Sequence, residues 1–178
     1  MYTNFEPIKK KNKFFKNKTD IQDHKSDAYQ RTFGFICLNC KFMVRSDIAF
    51  SGVLNRNHCP FCLWSRHVDL WQAGDRLSAC KMPMRPIGLT FKKLKNKYGS
   101  ALGELMLIHQ CSDCHAISIN RIAADDDIQK ILEIIEGPQI LQEDLLDSLK
   151  NSGIEPVTCP NFKHVREQLL GKIMNIHA

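Results

Sequence analysis

Eight cysteines and seven histidines occur in this chain of 178 residues, and the thiols are spaced for chemistry. Cys37 and Cys40 are separated by two residues, as are Cys59 and Cys62, and 18 residues lie between the pairs. A Cys-x-x-Cys turn aims two thiolates at one ion, and a second pair completes a tetrahedron with Zn–S distances of about 2.3 Å. This is zinc-ribbon spacing, with the intervening residues expected to form a hairpin that returns the second pair. An Fe–S centre or unligated buried thiols are the alternatives. Four thiolates leave no position for a reacting water, so such a metal is structural and its binding energy is folding energy. A second constellation holds Cys80 and, after a gap of 30 residues, Cys111-Ser112-Asp113-Cys114. Three thiolates need a fourth ligand. His67, His58, His109, His115 and Cys159 are the candidates, and His67, 13 positions before Cys80, is favoured because it makes an ordinary His-plus-three-Cys zinc site. The alternative is a set of reduced thiols packing as small hydrophobes.

An open fourth position would permit zinc-water chemistry, with His58 or His115 nearby and Asp69, Asp75, Asp125 or Asp126 as base. No His-Glu-x-x-His helix, nucleophile elbow or Gly-rich phosphate loop accompanies it, and no catalytic residue is assigned. A metal-dependent hydrolase is therefore the third of three readings.

The elements that position these ligands are expected to be short strands: Phe33-Gly34-Phe35-Ile36 enters the first pair, Phe42-Met43-Val44 leaves it, and Leu105–His109 enters the last. Strands this brief are marginal alone, and bound metal can staple them. Beyond Asp127 the period changes. Ile131, Ile134 and Ile135, then Ile140, Leu141, Leu145, Leu146 and Leu149, recur at helical spacing, with Gly137-Pro138 and Asn151-Ser152-Gly153 as stops. Pro160 suits a first helical turn leading to Val165, Leu169, Leu170 and Ile173. The expectation is an α+β chain: a basic arm (1–30), a small zinc-ribbon-like β domain with two Cys-rich sites (31–127), and an amphipathic helical segment (128–178) that packs on it or on itself.

Charge is uneven along the chain. Residues 1–30 carry 7 Lys against 4 acids, residues 31–127 carry 13 basic and 8 acidic residues, and residues 128–178 carry 5 and 7. The surplus, with Arg45, Arg56 and Arg66 beside Trp64 and Trp71, and Lys92, Lys93, Lys95 and Lys97 among Phe91 and Tyr98, suits unpaired RNA more than duplex DNA. RNA or a ribonucleoprotein is thus the first partner class, and a protein partner held by residues 128–178 the second. No apolar run reaches the roughly 18 residues that span a bilayer. Paired thiols with metal-ligand spacing suit a reducing compartment, and a cytoplasmic location without membrane association is expected.

The run Arg56-Asn57-His58-Cys59-Pro60 with the following Phe61–Asp69 resembles the RNHCP-domain family. Its pattern matches here at Cys37/Cys40, Gly74-Asp75-Arg76 with Cys80, the Met84-Arg85-Pro86-Ile87-Gly88 turn, Cys111/Cys114 and Asn120-Arg121-Ile122-Ala123-Ala124-Asp125-Asp126. The resemblance spans Thr32 to Asp127. Lys81-Met82-Pro83 replaces an expected glycine after Cys80, and His115 occupies another glycine position. What the resemblance implies is a zinc-ribbon-like, cysteine-rich domain, with no particular activity. The polar motif residues also have structural options: Asn57 and Asp69 as turn caps, Arg76 paired with Asp125 or Asp126, Asn120 bonding its own loop backbone.

Overall fold

The structure, a computed structural model, describes residues 34–93, 102–137 and 143–171. The arm, Phe33, Lys95, Lys97, Tyr98, Ile140, Leu141 and Ile173 lie outside the described residues.

Strand β1 (Phe35–Ile36) pairs antiparallel with β2 (Met43–Val44), joining Phe35 to Val44 and Ile36 to Met43. Helix α1 (Ile48–Ser51) follows, started by the Asp47 carboxylate, which accepts the Ala49 N–H at 2.9 Å, and stopped by Gly52 at φ 69°. The chain between the first two cysteine pairs is thus a strand, a helical turn and a loop rather than a plain hairpin. After the second pair, β3 (Ser65–Arg66) crosses into a second antiparallel sheet with β4 (Pro83–Lys92), β5 (Glu104–Cys111) and β6 (Ile117–Arg121), in the order β3-β4-β5-β6.

The segment Met84–Gly88, expected to turn, is extended. It belongs to β4, and the register shifts between Pro86 and Gly88. A proline lacks the N–H that a ladder needs, and an irregularity in the pairing accommodates it.

Strand β5 explains the fold class. Leu105 to His109 are all buried, a continuous run where a half-exposed strand would alternate. Successive side chains point to opposite faces. Leu105 and Leu107 join Leu63, Leu89, Val157, Val165 and the apolar stripe Ile131, Leu132 and Ile135 of α2 (Ile128–Glu136). Ile108 packs instead with Leu145 and Leu149 of α3 (Glu143–Asn151). A 3-10 turn, Cys159–Asn161, carries Pro160 into α4 (Phe162–Leu170), which contributes Val165. Helices therefore cover both faces of the central strand, and the molecule is α+β. Residues of the helical segment complete the sheet's core. Among the described residues no helix is long and apolar enough to cross a membrane.

Candidate metal centres and cationic face

Three turns in the chain share one backbone pattern. In each, the first cysteine's N–H donates to the carbonyl five residues on: Cys37 to Phe42 and Cys59 to Trp64, both at 2.9 Å, and Cys111 to Ala116 at 2.9 Å. The residue after the second cysteine is left-handed in every case, Lys41 at φ 65°, Leu63 at φ 61° and His115 at φ 59°. Lys81, after Cys80, shares that conformation at φ 56°. The two positions where glycine was expected, Lys81-Met82-Pro83 and His115, thus include two residues held where a Cβ is strained and glycine is at ease.

These turns assemble two donor sets. Cys37, Cys40, Cys59 and Cys62 form one and His67, Cys80, Cys111 and Cys114 the other, with the ligand atoms of each within 4.8 Å of one another. The sulfurs of Cys37 and Cys62 are 3.6 Å apart, Cys40 and Cys59 3.5 Å, Cys80 and Cys111 3.6 Å, and His67 Nδ1 is 3.2 Å from Cys114 Sγ. A tetrahedron with 2.3 Å Zn–S bonds has edges of about 3.8 Å, so both sets fit zinc. Of the other candidates for the second set, His109 is buried between the Leu63 carbonyl (2.7 Å) and the Asn120 side-chain amide (2.9 Å), His58 is engaged elsewhere, and Cys159 and His115 are exposed and not in the set. Burial, with His58 adding repulsion, holds the His109 pKa down to about 3, so its ring is neutral.

The thiols are prepared for a cation. Burial raises the pKa of Cys37 and, more strongly, of Cys59. Burial also opposes ionisation of Cys40, but the Phe42 N–H and the neighbouring thiols outweigh it and lower its pKa. In the second set the Met82 N–H favours a Cys80 thiolate, yet burial and the thiols of Cys111 and Cys114 push its pKa up to about 11. Cys111 moves down because N–H groups of Asp113 and Cys114 outweigh its burial. Each set thus has a thiol whose pKa is lowered beside one whose pKa is raised, and a metal bound by thiolates there would release protons on binding.

The signature pentapeptide is a buried clasp. Arg56, 4% exposed, donates through Nη1 to Asp125 at 2.7 Å and through Nη2 to Asp126 at 3.2 Å, while its Nε bonds the His58 carbonyl. His58 Nε2 lies 2.7 Å from the other Asp126 oxygen, which also accepts the Ala123 N–H. Asn57 donates to Asp69 and accepts from Arg76, and the Pro60 carbonyl accepts the Asp127 N–H at 2.9 Å. These contacts tie the first donor set to the turn between β6 and α2. Two expectations change accordingly. Arg56 is consumed inside the protein and has no free fork for a nucleic acid, and it is Arg56, not Arg76, that pairs with Asp125 and Asp126. Arg76 lies against Asp69, and Asn120 bonds His109 rather than its own loop. The proposed bases are also engaged: Asp126 as above, Asp69 by the N–H groups of Gly74 and Arg76, Asp75 by four N–H groups.

Of the other expected nucleic-acid contacts, Trp64 and Arg66 are half-buried, Lys92 and Lys93 are exposed at the end of β4, and Lys95 lies outside the described residues. Sequence reasoning passed over Phe42, Phe61 and Phe50, exposed by 62%, 52% and 57%. Phe42 and Phe61 follow and occupy the two knuckles of the first donor set with ring centroids 5.3 Å apart, and the Arg45 guanidinium lies 4.7 Å over Phe50. Their positions within and just after the Cys-x-x-Cys pairs were the available signal, since a knuckle tip points away from its metal.

Residues 34–93 carry nine Lys and Arg against three Asp, whereas residues 102–171 carry 5 basic and 12 acidic residues. All three Asp are turned onto backbone N–H groups: Asp47 at α1, Asp69 and Asp75 in the loop after β3. Among the described residues Lys41, Arg45, Arg66, Lys81, Arg85, Lys92 and Lys93 make no ion pair; only Arg56 and Arg76 of this segment do. Seven thiolates with two dications would lower the formal charge of the whole chain by three from +6, leaving it positive.

A family model of the RNHCP domain matches residues 32–132, more than half of the chain, and covers both donor sets, the buried clasp and the start of α2. No curated protein and no solved structure matches. With its signature residues accounted for one by one, the chain belongs to the RNHCP domain family.

Proposed function

We propose that this protein is a zinc-stabilised module that binds single-stranded RNA on a cationic lobe, residues 34–93. Both donor sets hold Zn2+ in this reading, Cys37, Cys40, Cys59 and Cys62 in one, His67, Cys80, Cys111 and Cys114 in the other, each closed and structural. The observation that carries the reading is that seven cations of residues 34–93, without a carboxylate partner among the described residues, share that segment with exposed aromatic rings. Free cations attract a phosphate backbone, and rings such as Phe42 and Phe61 offer faces on which unpaired bases stack regardless of sequence. Duplex DNA is disfavoured because among the described residues no long helix projects into a groove from the lobe. The adaptor reading loses support because α2 and α4, its expected contact surface, spend their apolar faces on the sheet. None of the eight cysteines is in a disulfide, which fits a reducing, cytoplasmic setting.

The test is binding of a labelled single-stranded oligouridylate to zinc-loaded protein across a salt series. Affinity should fall steeply, with log K linear in log salt, and Phe42→Ala with Phe61→Ala should weaken binding roughly tenfold or more at unchanged zinc content. Affinity that is independent of salt, or a double variant that binds like the parent, would overturn the reading.

A further inference from the structure

The loop between β3 and β4 is held by a dense set of hydrogen bonds. At its root His67 N–H bonds the Met82 carbonyl at 2.9 Å and Lys81 N–H bonds the His67 carbonyl at 3.1 Å; further in, Ser78 N–H bonds Val68 at 3.0 Å. At its tip the Asp75 carboxylate accepts the N–H groups of Leu70 (2.9 Å), Trp71 (2.8 Å), Gln72 (2.8 Å) and Leu77 (3.1 Å). Asp69 fixes the far limb through Gly74 at 2.8 Å and Arg76 at 3.1 Å, and the Asn57 amide anchors Asp69 itself at 2.7 Å. Gly74, at φ 91°, lets the chain close against the Asn55 side chain. The Asp69 and Asp75 carboxylates are therefore committed to holding the loop's own backbone.

What this frame presents is an indole. Trp71 is 81% exposed, although a tryptophan is among the most costly side chains to leave in water. A floppy loop would lose conformational entropy on capturing a ligand, whereas a backbone already locked loses little. The loop's two carboxylates are occupied by N–H donors, and the cations at its root, Arg66 and Lys81, make no ion pair among the described residues and donate to main-chain carbonyls, those of Lys81 at 2.9 Å and Arg76 at 3.1 Å. Lys81 Nζ reaches the Arg76 carbonyl, next in the chain to the Asp75 that holds the Trp71 N–H, and an exposed flat π-face on a loop carrying these cations suits an anion with flat rings better than it suits an apolar protein pocket, which would have to desolvate them.

We infer that the loop is a base-stacking finger: one unpaired nucleobase of a single strand lies on the Trp71 indole while Arg66 and Lys81 draw in the adjoining phosphates, with Asp75 as the positioning residue that fixes the tip. The inference rests on the single-strand reading above and adds to the knuckle face a second, separately testable contact.

The probe is a fluorescein-labelled 12-mer oligouridylate at low salt, added to full-length zinc-loaded protein in which Trp64→Phe leaves Trp71 as the only tryptophan, excited selectively over tyrosine. Bound oligonucleotide should quench Trp71 emission. Trp71→Leu should weaken binding, followed by anisotropy, about tenfold, while Trp71→Phe, which keeps a stacking face, should stay within about threefold of the parent. Zinc content reports that each variant is folded. If the parent binds and Trp71→Leu binds equally well, the finger is overturned while the single-strand reading stands. If Trp71→Leu binds like the parent but Trp71→Ala does not, the contact is apolar rather than stacking, and the surface suits protein side chains; that also overturns it. If the parent does not bind, both proposals fail together.

Discussion

Asp126 is the residue on which the buried clasp converges. Its two oxygens serve Arg56, His58 and the Ala123 N–H, and its side chain is fully enclosed. A buried pair is weak evidence of net stabilisation, but removing one partner strands the other in a low dielectric. Asp126→Ala should therefore cost about 3–5 kcal/mol, read as a lowered urea midpoint of the zinc-loaded protein. The exposed His115 makes the opposite point. Its left-handed conformation strains a Cβ by roughly 1–2 kcal/mol, against roughly 0.5–1 kcal/mol of chain entropy lost by a glycine. His115→Gly should stabilise the protein by up to about 1 kcal/mol in thermal melts, with zinc content unchanged; a loss of stability would show that the ring has a contact beyond its own turn.

At the scale of elements, the loop after β3 depends on a carboxylate that must stay ionised. The Gln72 N–H, aided by those of Leu70, Leu77 and Trp71, holds the Asp75 pKa well below the usual carboxylate range despite some opposing burial. A depressed folded pKa means that the group's stabilising contribution is present above its unfolded value of about 3.9 and is lost only as pH falls through the lower folded value. The Asp75 carboxyl resonance should accordingly stay flat from pH 7 to about pH 4, and a midpoint at an ordinary Asp value would contradict the four-donor geometry. The same loop shows how the two donor sets divide labour. His67 and Cys80 stand at the two limbs of the loop's root and Cys111 and Cys114 at the β5–β6 turn, so a metal there would clamp the loop to the sheet.

Across the whole molecule, stability has two sources. Around β1, β2 and the first donor set the buried apolar cluster is Cys37, Val44 and Cys59, backed by Phe35, Cys40 and Cys62. That cluster is mostly ligand, and a metal would replace the oil it lacks. The four-stranded sheet has an ordinary apolar core shared with α2 and α4 on one face and α3 on the other. Chelation should thus unfold β1, β2 and α1 while most helical ellipticity survives, which hydrogen exchange and circular dichroism would resolve together. Simultaneous loss of both signals would mean that the metals support the sheet as well. The charge division cuts through the sheet instead: residues 34–93, which include β3 and β4, are positive and residues 102–171 negative, so a polyanion has one part of the chain to favour.

Thiol spacing alone was enough to group Cys37, Cys40, Cys59 and Cys62, because a Cys-x-x-Cys turn has one local geometry wherever it occurs, and the 3.6-residue period of Ile131 to Ile135 was enough to place α2. Two things were not legible. Strand β4 was hidden by its proline and glycine, which read as a turn and act instead as an irregularity that the neighbouring β5 tolerates. The role of Arg56 was hidden because its partners Asp125 and Asp126 lie about 70 positions away, so that an arginine resembling a surface cation is the centre of a buried clasp. Local pattern determines which turns and helices the chain can form. Whether a given charge faces water or a carboxylate depends on contacts between distant segments, and only folding decides it, because desolvation is a property of the packed molecule and not of any stretch of sequence.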